Sequence, residues 1–337
     1  MVSEKQIRSA LEKVIIPEVE RSLIDLNLVK KIAINESKVE ITLSATAIGP
    51  DVQEYVTAGV QAAMKPLKIN DVKVEYVEAK PSEVNDIKYV IAVMSGKGGV
   101  GKSAVTSLLA IALQRQGKSV GIIDADITGS SIPRMFGIKR RPLGSETGIM
   151  PVATDSGISV MSMNLLIPAE DSAVIWRAPL LSSAITQFWT DVLWGKLDYL
   201  LIDLPPGTAD APLTVFQSIP VTGIILVFTP QGLVEMIVRK AVNMAQKMEK
   251  TILGVVENMS YFYVKELDRK FELFGQSKGK LMAEATQSPL LATLPIDPEL
   301  ARLCDDGEIE KYNSPVVDEL GKAVVQAVKK TEANPNE

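Results

Sequence analysis

The sequence predicts an α/β fold in which a mostly parallel sheet is covered by helices on both faces, preceded by a small α+β domain. Two observations carry this prediction. From Lys88 onward, apolar segments of strand length alternate with segments of helical periodicity, which is the pattern of a parallel sheet with both faces buried. Before Lys88, helical and alternating patterns are mixed within one short stretch.

Residues 1–80 are predicted to form the small α+β domain. Apolar residues recur at helical spacing over residues 3–16, and residues 51–64 predict a second helix. Residues 39–43 and 72–77 alternate between apolar and polar side chains, as half-buried strands do. The polar segment that follows contains a proline, so residues 81–87 are predicted to be a linker.

Residues 88–330 are predicted to form the larger α/β domain, and residues 331–337 a disordered tail. The predicted strands span residues 88–94, 119–124, 158–163, 198–203, 223–229, 251–257 and 290–294. The predicted helices span residues 102–116, 179–193, 232–249 and 315–329.

A glycine-rich phosphate-binding loop follows the first of these strands. It consists of Gly96, Lys97, Gly98, Gly99, Val100, Gly101, Lys102 and Ser103. Such a turn between a buried strand and a helix directs several backbone N–H groups at one point, which suits the β- and γ-phosphates of ATP or the phosphates of ADP. Lys102 is expected to neutralise these phosphates, and the Ser103 hydroxyl to bind Mg²⁺.

Three aspartates are predicted to lie at strand ends, where an open α/β sheet binds its ligand. Asp203 is expected to hold Mg²⁺, Asp124 to support that metal site, and Asp126 to position the water that attacks the γ-phosphate. Gly207 follows two prolines in a loop that can change conformation when its N–H binds the γ-phosphate. Aspartates at strand ends can also merely cap the next turn.

Composition excludes several classes of function. Histidine is absent and only one cysteine is present, so histidine-dependent catalysis, histidine zinc sites and an intrachain disulfide are all excluded. The net charge of −5 argues against a general nucleic-acid surface. The apolar stretches are too short to cross a membrane and the N-terminus is charged, so a cytoplasmic protein without membrane binding is expected.

Further short motifs accompany the loop and the aspartates. They are Asp124–Ile127, Ser131–Pro133, Val174–Arg177, Asp198–Thr208, Thr229–Gln231 and Val256–Ser260. With these motifs, residues 88–325 resemble the Mrp family of P-loop ATPases, which includes the ApbC iron-sulfur cluster carriers. Lys97 matches the deviant Walker A signature of the MinD and ParA class. Residues 1–80 resemble the small iron-sulfur-assembly domain that often precedes such ATPases.

This resemblance implies a homodimer that hydrolyses ATP slowly. It implies that Lys97 reaches the nucleotide of the facing subunit, so that dimerisation and nucleotide state are coupled. It also implies that Asn258, Pro295 and Asp297 contact the adenine. The implied partners are a second copy of the chain and the client or scaffold proteins of iron-sulfur assembly.

The family's cysteines are missing from this chain. The resemblance implies a CxxC pair and a cysteine before Pro50, but Val264, Leu267 and Gly49 stand at those places. A [4Fe–4S] cluster ordinarily needs four thiolates, and a dimer of this chain has only the two Cys304 side chains. A conventional bridging cluster is therefore not expected, and Cys304 is predicted to be a structural cysteine.

Two functions stay open. The first is a Mg²⁺-dependent ATPase of the Mrp type that acts in iron-sulfur cluster assembly and transfer to client apoproteins. The second is a nucleotide-gated adaptor or positioning switch that recruits a client through residues 1–80 and carries no cluster. A metabolite kinase is a third class, but the sequence shows no acceptor pocket for it.

Overall fold

The computed structural model describes residues 2–17, 19–35, 38–126, 129–166, 178–207, 210–231 and 234–333. Contacts divide the chain into two compact units. The first unit comprises Met1–Lys88, Arg140–Met161 and Gln187–Asp198, and the second comprises Tyr89–Lys139, Ser162–Thr186 and Tyr199–Glu337.

The helices are α1 (Glu4–Leu11), α2 (Pro50–Met64), α3 (Pro81–Val84), α4 (Lys102–Arg115), α5 (Ile132–Met135), α6 (Ala178–Thr190), α7 (Asp210–Ser218), α8 (Val234–Lys247), α9 (Gly279–Thr286), α10 (Pro298–Asp306) and α11 (Pro315–Ala333). The strands are β1 (Ile15–Ile16), β2 (Arg21–Ser22), β3 (Val29–Asn35), β4 (Lys38–Ser44), β5 (Asp71–Val77), β6 (Asp86–Ser95), β7 (Val120–Asp124), β8 (Gly144–Ser145), β9 (Gly148–Ile149), β10 (Val152–Ala153), β11 (Ser159–Ser162), β12 (Lys196–Asp203), β13 (Gly223–Phe228), β14 (Ile252–Val264), β15 (Arg269–Phe271) and β16 (Leu290–Ile296). Short 3₁₀ turns occur at Lys65–Leu67, Met163–Leu165, Lys265–Leu267 and Ile309–Lys311.

In the first unit, α1 and α2 pack with the three-stranded sheet β3-β4-β5. Strands β3 and β4 are antiparallel, whereas β4 and β5 are parallel and α2 connects them. Val56, Val60 and Met64 lie one helical turn apart on α2 and are all buried. The alternating pattern predicted for β4 and β5 and the helix predicted over residues 51–64 are therefore confirmed.

Two local predictions in the first unit differ from the structure, and one strand was not predicted. The predicted helix 3–16 ends at Leu11, and the strand without a prediction is β3. The predicted linker 81–87 contains α3 and the start of β6, because Pro81 occupies the first turn of a helix, a position that tolerates proline. Residues 140–161 and 187–198 also join the first unit by their contacts, so its separation as a domain 1–80 stays a prediction.

The second unit is built on a sheet whose strands run in the order β7-β12-β6-β13-β14, with both β15 and β16 paired to β14. The pairs β7/β12, β6/β13, β13/β14 and β14/β16 are parallel, and β15 is antiparallel. Helices α4, α8, α9 and α11 contact these strands. The predicted α/β class with a mostly parallel sheet is thus confirmed.

The ends of two elements in the second unit were predicted wrongly. β14 continues to Val264, beyond the predicted residue 257, because it also pairs with β15 and β16. α11 continues to Ala333, so residues 331–333 of the predicted tail are helical, while residues 334–337 lie outside the described residues. In the described ranges no helix has the length and apolar character needed to cross a bilayer.

Arg21 is a buried cation of the first unit. Its Nη1 donates to the Trp194 carbonyl at 2.6 Å, and its Nη2 donates to the carbonyls of Lys196 at 2.8 Å and Asp25 at 2.9 Å. Burial lowers the pKa of Arg21 to about 10, and Asp25 acts in the opposite direction. The Arg21 guanidinium therefore connects residues 187–198 by hydrogen bonds to the N-terminal part of the same unit.

We expect Arg21→Met to lower the free energy of unfolding by about 2–5 kcal/mol, because buried carbonyls lose their donors. Urea denaturation measures this change. Arg8→Met is the matched control, because the Arg8 side chain is 40% exposed and pairs with Glu4 one turn away on α1, so its loss should cost less than about 0.5 kcal/mol. Equal losses of unfolding free energy in the two variants would show that the hydrogen bonds of Arg21 to residues 187–198 do not stabilise the unit.

Candidate nucleotide-binding site

The glycine-rich loop lies between the buried strand β6 and the start of α4, as predicted. Gly101 has φ +76°, and a Cβ added there would lie 2.3 Å from Asn258 Nδ2. That amide donates to the Val100 carbonyl at 2.9 Å. The backbone of the loop is therefore held against β14, which leaves no room for a side chain at Gly101.

Asp203, at the end of β12, is completely buried beneath the loop. Its Oδ2 accepts a hydrogen bond from Ser103 Oγ at 2.6 Å, and its Oδ1 accepts one from Thr106 Oγ1 at 2.8 Å. Lys102 Nζ lies 2.8 Å from Oδ2 as an ion pair, although it is not oriented for a hydrogen bond. The structure thus brings together Lys102, Ser103 and Asp203, as the sequence predicts.

This oxygen-rich cluster suits Mg²⁺, which commonly uses one or two protein oxygens together with waters and phosphates. Ser103 Oγ and Asp203 Oδ2 lie close enough to share one cation. Lys102 supplies a positive charge beside the same carboxylate oxygen. The residues therefore fit the predicted metal, and their assignment as ligands stays a prediction.

Asp126 lies beside the same lysine. Its Oδ2 is 3.8 Å from Lys102 Nζ, and its side chain is 13% exposed. Burial raises the pKa of Asp126, while the Lys102 ammonium opposes this change. Asp126 is therefore the carboxylate of the site that retains contact with solvent, as a water-positioning group requires.

Asp124 lies opposite Asp203 in the parallel pairing of β7 with β12 and is completely buried. Its Oδ2 accepts hydrogen bonds from Ser130 at 2.5 Å and from Ser162 at 3.2 Å. Its Oδ1 has no hydrogen-bond partner within the described part of the chain. Burial, followed by the charge of Asp203, raises the pKa of Asp124 to about 7.

Two predicted nucleotide contacts have partners inside the chain. The Gly207 N–H donates to the Ser95 carbonyl at 2.9 Å. Lys97 Nζ donates to Gln231 Oε1 at 2.6 Å. Binding of a γ-phosphate by the Gly207 N–H therefore requires its hydrogen bond to Ser95 to break, whereas the Lys97 ammonium has further N–H donors.

The predicted adenine contacts do not all have free polar atoms. Asp297 caps α10, because its Oδ1 accepts from the Glu299 N–H at 2.9 Å, and its Oδ2 accepts from the Tyr312 hydroxyl at 2.8 Å. A cavity of about 860 Å³ is lined by Pro295 and Asp297, together with Tyr261. Asn258 lies at the loop rather than on this cavity. The adenine contacts stay a prediction.

The places of the missing family cysteines hold no thiol. Val264 ends β14, Leu267 is 64% exposed, and Gly49 caps α2. Cys304 on α10 is half-buried, and burial followed by the Asp305 charge raises its pKa, which disfavours the thiolate that iron requires. Among the described residues, no group of three or more His, Cys, Asp or Glu side chains is arranged to hold a metal.

Sequence reasoning missed three polar residues of the site, Thr106, Ser130 and Ser162. It placed Gln231 in the Thr229–Gln231 motif but gave it no role. Thr106 lies one helical turn after Ser103, so helical spacing was a usable signal. The predicted motif residues 127, 208 and 174–177 lie outside the described residues.

Comparison with known proteins gives the family. Residues 86–330 match the family model described as NUBPL iron-transfer P-loop NTPase, and residues 4–76 match the iron-sulfur cluster assembly protein model. The chain belongs to this family of iron-transfer P-loop NTPases. Its larger part carries the NTPase match and its N-terminal part the assembly match, as the resemblance of the sequence implies.

Several relatives are named iron-sulfur cluster carrier protein. One from Clostridium perfringens is 47% identical over 235 residues, covering 67% of this chain and 82% of the relative. One from Synechocystis is 37% identical over 324 residues, covering 91% of each chain.

Solved structures agree with the fold. The nucleotide-binding protein of Archaeoglobus fulgidus in complex with ADP is 45% identical, with a TM-score of 0.62 over 68% of this chain and 90% of that chain. The McdA–ATP complex of Cyanothece, at 16% identity and a TM-score of 0.50 over 72% of this chain and 96% of that chain, shows similarity of fold alone.

The loop glycines give a matched test of the local packing. Gly101→Ala should lower the free energy of unfolding by about 2 kcal/mol or more, because it adds strain at a positive φ to a clash with Asn258. At Gly98 an added Cβ would lie 3.8 Å from Pro206 Cγ, which is an ordinary van der Waals distance. Gly98→Ala should therefore change the free energy of unfolding by less than about 0.5 kcal/mol. Urea denaturation of the nucleotide-free protein measures both, and similar losses would refute the packing described for Gly101.

Proposed function

We propose that this chain is a Mg²⁺-dependent, dimerising ATPase that hydrolyses ATP slowly and acts in iron-sulfur cluster assembly and transfer to client apoproteins. The observation that carries the proposal is the buried Asp203 carboxylate, held together with Lys102 and Ser103 at the phosphate-binding loop. Membership of an iron-transfer NTPase family and the names of the relatives support the pathway.

In this proposal, binding of the triphosphate changes the contacts of Lys102. Lys102 leaves Asp203 and pairs with the β- and γ-phosphates, together with the N–H groups of the loop. Ser103 and Asp203 would then hold Mg²⁺, with Asp124 supporting Asp203 from the neighbouring strand. When bound, Mg²⁺ would neutralise negative charge on the oxygens of the β- and γ-phosphates.

Asp126 positions the attacking water. Its carboxylate accepts a hydrogen bond from the water, whose oxygen attacks the γ-phosphorus. The bond from that phosphorus to the oxygen of the leaving ADP breaks, and the water proton stays with the released phosphate. The Gly207 N–H exchanges the Ser95 carbonyl for a γ-phosphate oxygen, so the loop after β12 reports whether that phosphate is present. Lys97 reaches the nucleotide of the facing subunit, which couples dimerisation to ATP.

A second candidate is favoured by the cysteine count. With Val264, Leu267 and Gly49 at the expected cysteine places, the chain lacks the thiolates for a conventional bridging cluster. In this candidate the same ATP-dependent dimer is an adaptor that recruits a client or scaffold protein through residues 1–80. It takes part in assembly without carrying the cluster.

Two substitutions separate nucleotide binding from hydrolysis. Lys102→Ala should raise the Kd for Mg-ATP by about 100-fold, because buried charge-assisted contacts to phosphate are lost. Asp126→Ala should retain ATP but lower kcat by about 10²–10⁴-fold. Calorimetry and phosphate release measure these changes, and the exposed Asp155→Ala is the control. An Asp126→Ala enzyme with unchanged kcat would remove Asp126 from this role.

Anaerobic reconstitution with iron and sulfide separates the two candidates. Because the chain has one cysteine, we expect a colourless protein that still hydrolyses ATP. That result would support the adaptor. A stoichiometric cluster bound to the dimer, with visible absorption, would instead support a carrier. Cys304→Ser is the matched variant, because loss of that absorption would identify the one thiol of the chain as a ligand.

A further inference from the structure

Lys97 and Gln231 are brought together by the order of the strands. Although 134 positions separate them, Lys97 Nζ donates to Gln231 Oε1 at 2.6 Å. The strands β6 and β13 are parallel neighbours, with Val227 paired to Ser95 at the same edge of the sheet. The loop begins directly after β6, and Gln231 follows directly after β13, so both side chains extend from one edge.

The backbone around Lys97 is held as well. Ser95 Oγ donates to the Lys97 carbonyl at 3.0 Å, and the Ser95 carbonyl accepts from the Gly207 N–H at 2.9 Å. Because a lysine ammonium has only donors, the Gln231 atom that it contacts must be the amide oxygen. The position of Lys97 is therefore set by Ser95 and Gln231 of its own chain.

The Lys97 ammonium has three N–H donors, and one of them is given to Gln231 in its own chain. Where Lys97 swings away from Gln231 to reach the nucleotide of a facing subunit, the free energy of that bond opposes dimerisation in both subunits. We propose that Gln231 is a positioning residue that holds Lys97 within its own subunit and so sets the threshold for ATP-dependent dimerisation. The inference rests on the cross-subunit role of Lys97 in the proposed function.

The chemistry of Gln231 suits such a reversible contact. An ammonium binds a neutral amide oxygen less strongly than it binds a carboxylate. The negatively charged γ-phosphate can therefore compete with Gln231 for Lys97. Pro230 fixes the backbone φ immediately before Gln231, which limits the positions of the amide. A carboxylate at position 231 would hold the lysine more tightly.

Two variants of Gln231 should therefore act in opposite directions. In sedimentation experiments with Mg²⁺ and a non-hydrolysable ATP analogue, Gln231→Ala should lower the dimer Kd by about tenfold, and Gln231→Glu should raise it by about tenfold. The control is Gln246→Ala, an exposed glutamine on α8, which should leave the dimer Kd unchanged. A weaker dimer in Gln231→Ala would overturn the inference, because Gln231 would then serve the dimer.

A double-mutant cycle tests the contact without nucleotide. Lys97→Ala, Gln231→Ala and the double variant should show non-additive urea midpoints in the nucleotide-free protein. Additive midpoints would overturn the contact. If the unsubstituted chain dimerises and the Gln231 variants match it, this inference alone fails. If the unsubstituted chain does not dimerise with the analogue, the proposed ATP-dependent dimer fails, and this inference fails with it.

Discussion

The buried carboxylate of Asp203 is the group around which the phosphate-binding side chains of α4 are arranged. A carboxylate with no exposed surface is unfavourable unless donors and a positive charge surround it. Lys102, Ser103 and Thr106 supply these from one face of α4, because residues three and four positions apart lie side by side on a helix. The same contacts therefore dock α4 on the sheet and arrange the groups that bind phosphate.

The parallel pairing of β7 and β12 adds a constraint. It places Asp124 opposite Asp203, so two buried carboxylates share one edge of the sheet. Burial, followed by the charge of Asp203, raises the pKa of Asp124, while the Ser130 hydrogen bond and the Lys102 ammonium act in the opposite direction. In the proposed function Lys102 turns towards phosphate, and the two carboxylates would then favour an additional cation, which is a physical reason for nucleotide and metal to bind together.

Sequence reasoning reached the parts of this site that depend on local pattern. Lys102 and Ser103 belong to one loop motif, and Asp203 ends a recognisable apolar strand, so their meeting follows from the general rule for parallel sheets. The contact of Lys97 with Gln231 depends instead on which strand lies beside β6, and strand order cannot be read from periodicity. The end of β14 was missed for the same reason, because its last residues are ordered by pairing with β15.

The phosphate-binding residues and the residues at the places of the missing cysteines differ in how much the fold depends on them. Lys102 and Asp203 are buried, so replacing either would leave an unpaired charge in the interior. Leu267 is largely exposed and Val264 lies at a strand end, so their identity contributes little to burial. A chain can therefore lack the thiols at these places and keep the phosphate-binding edge intact, because nucleotide binding and cluster binding depend on separate residues.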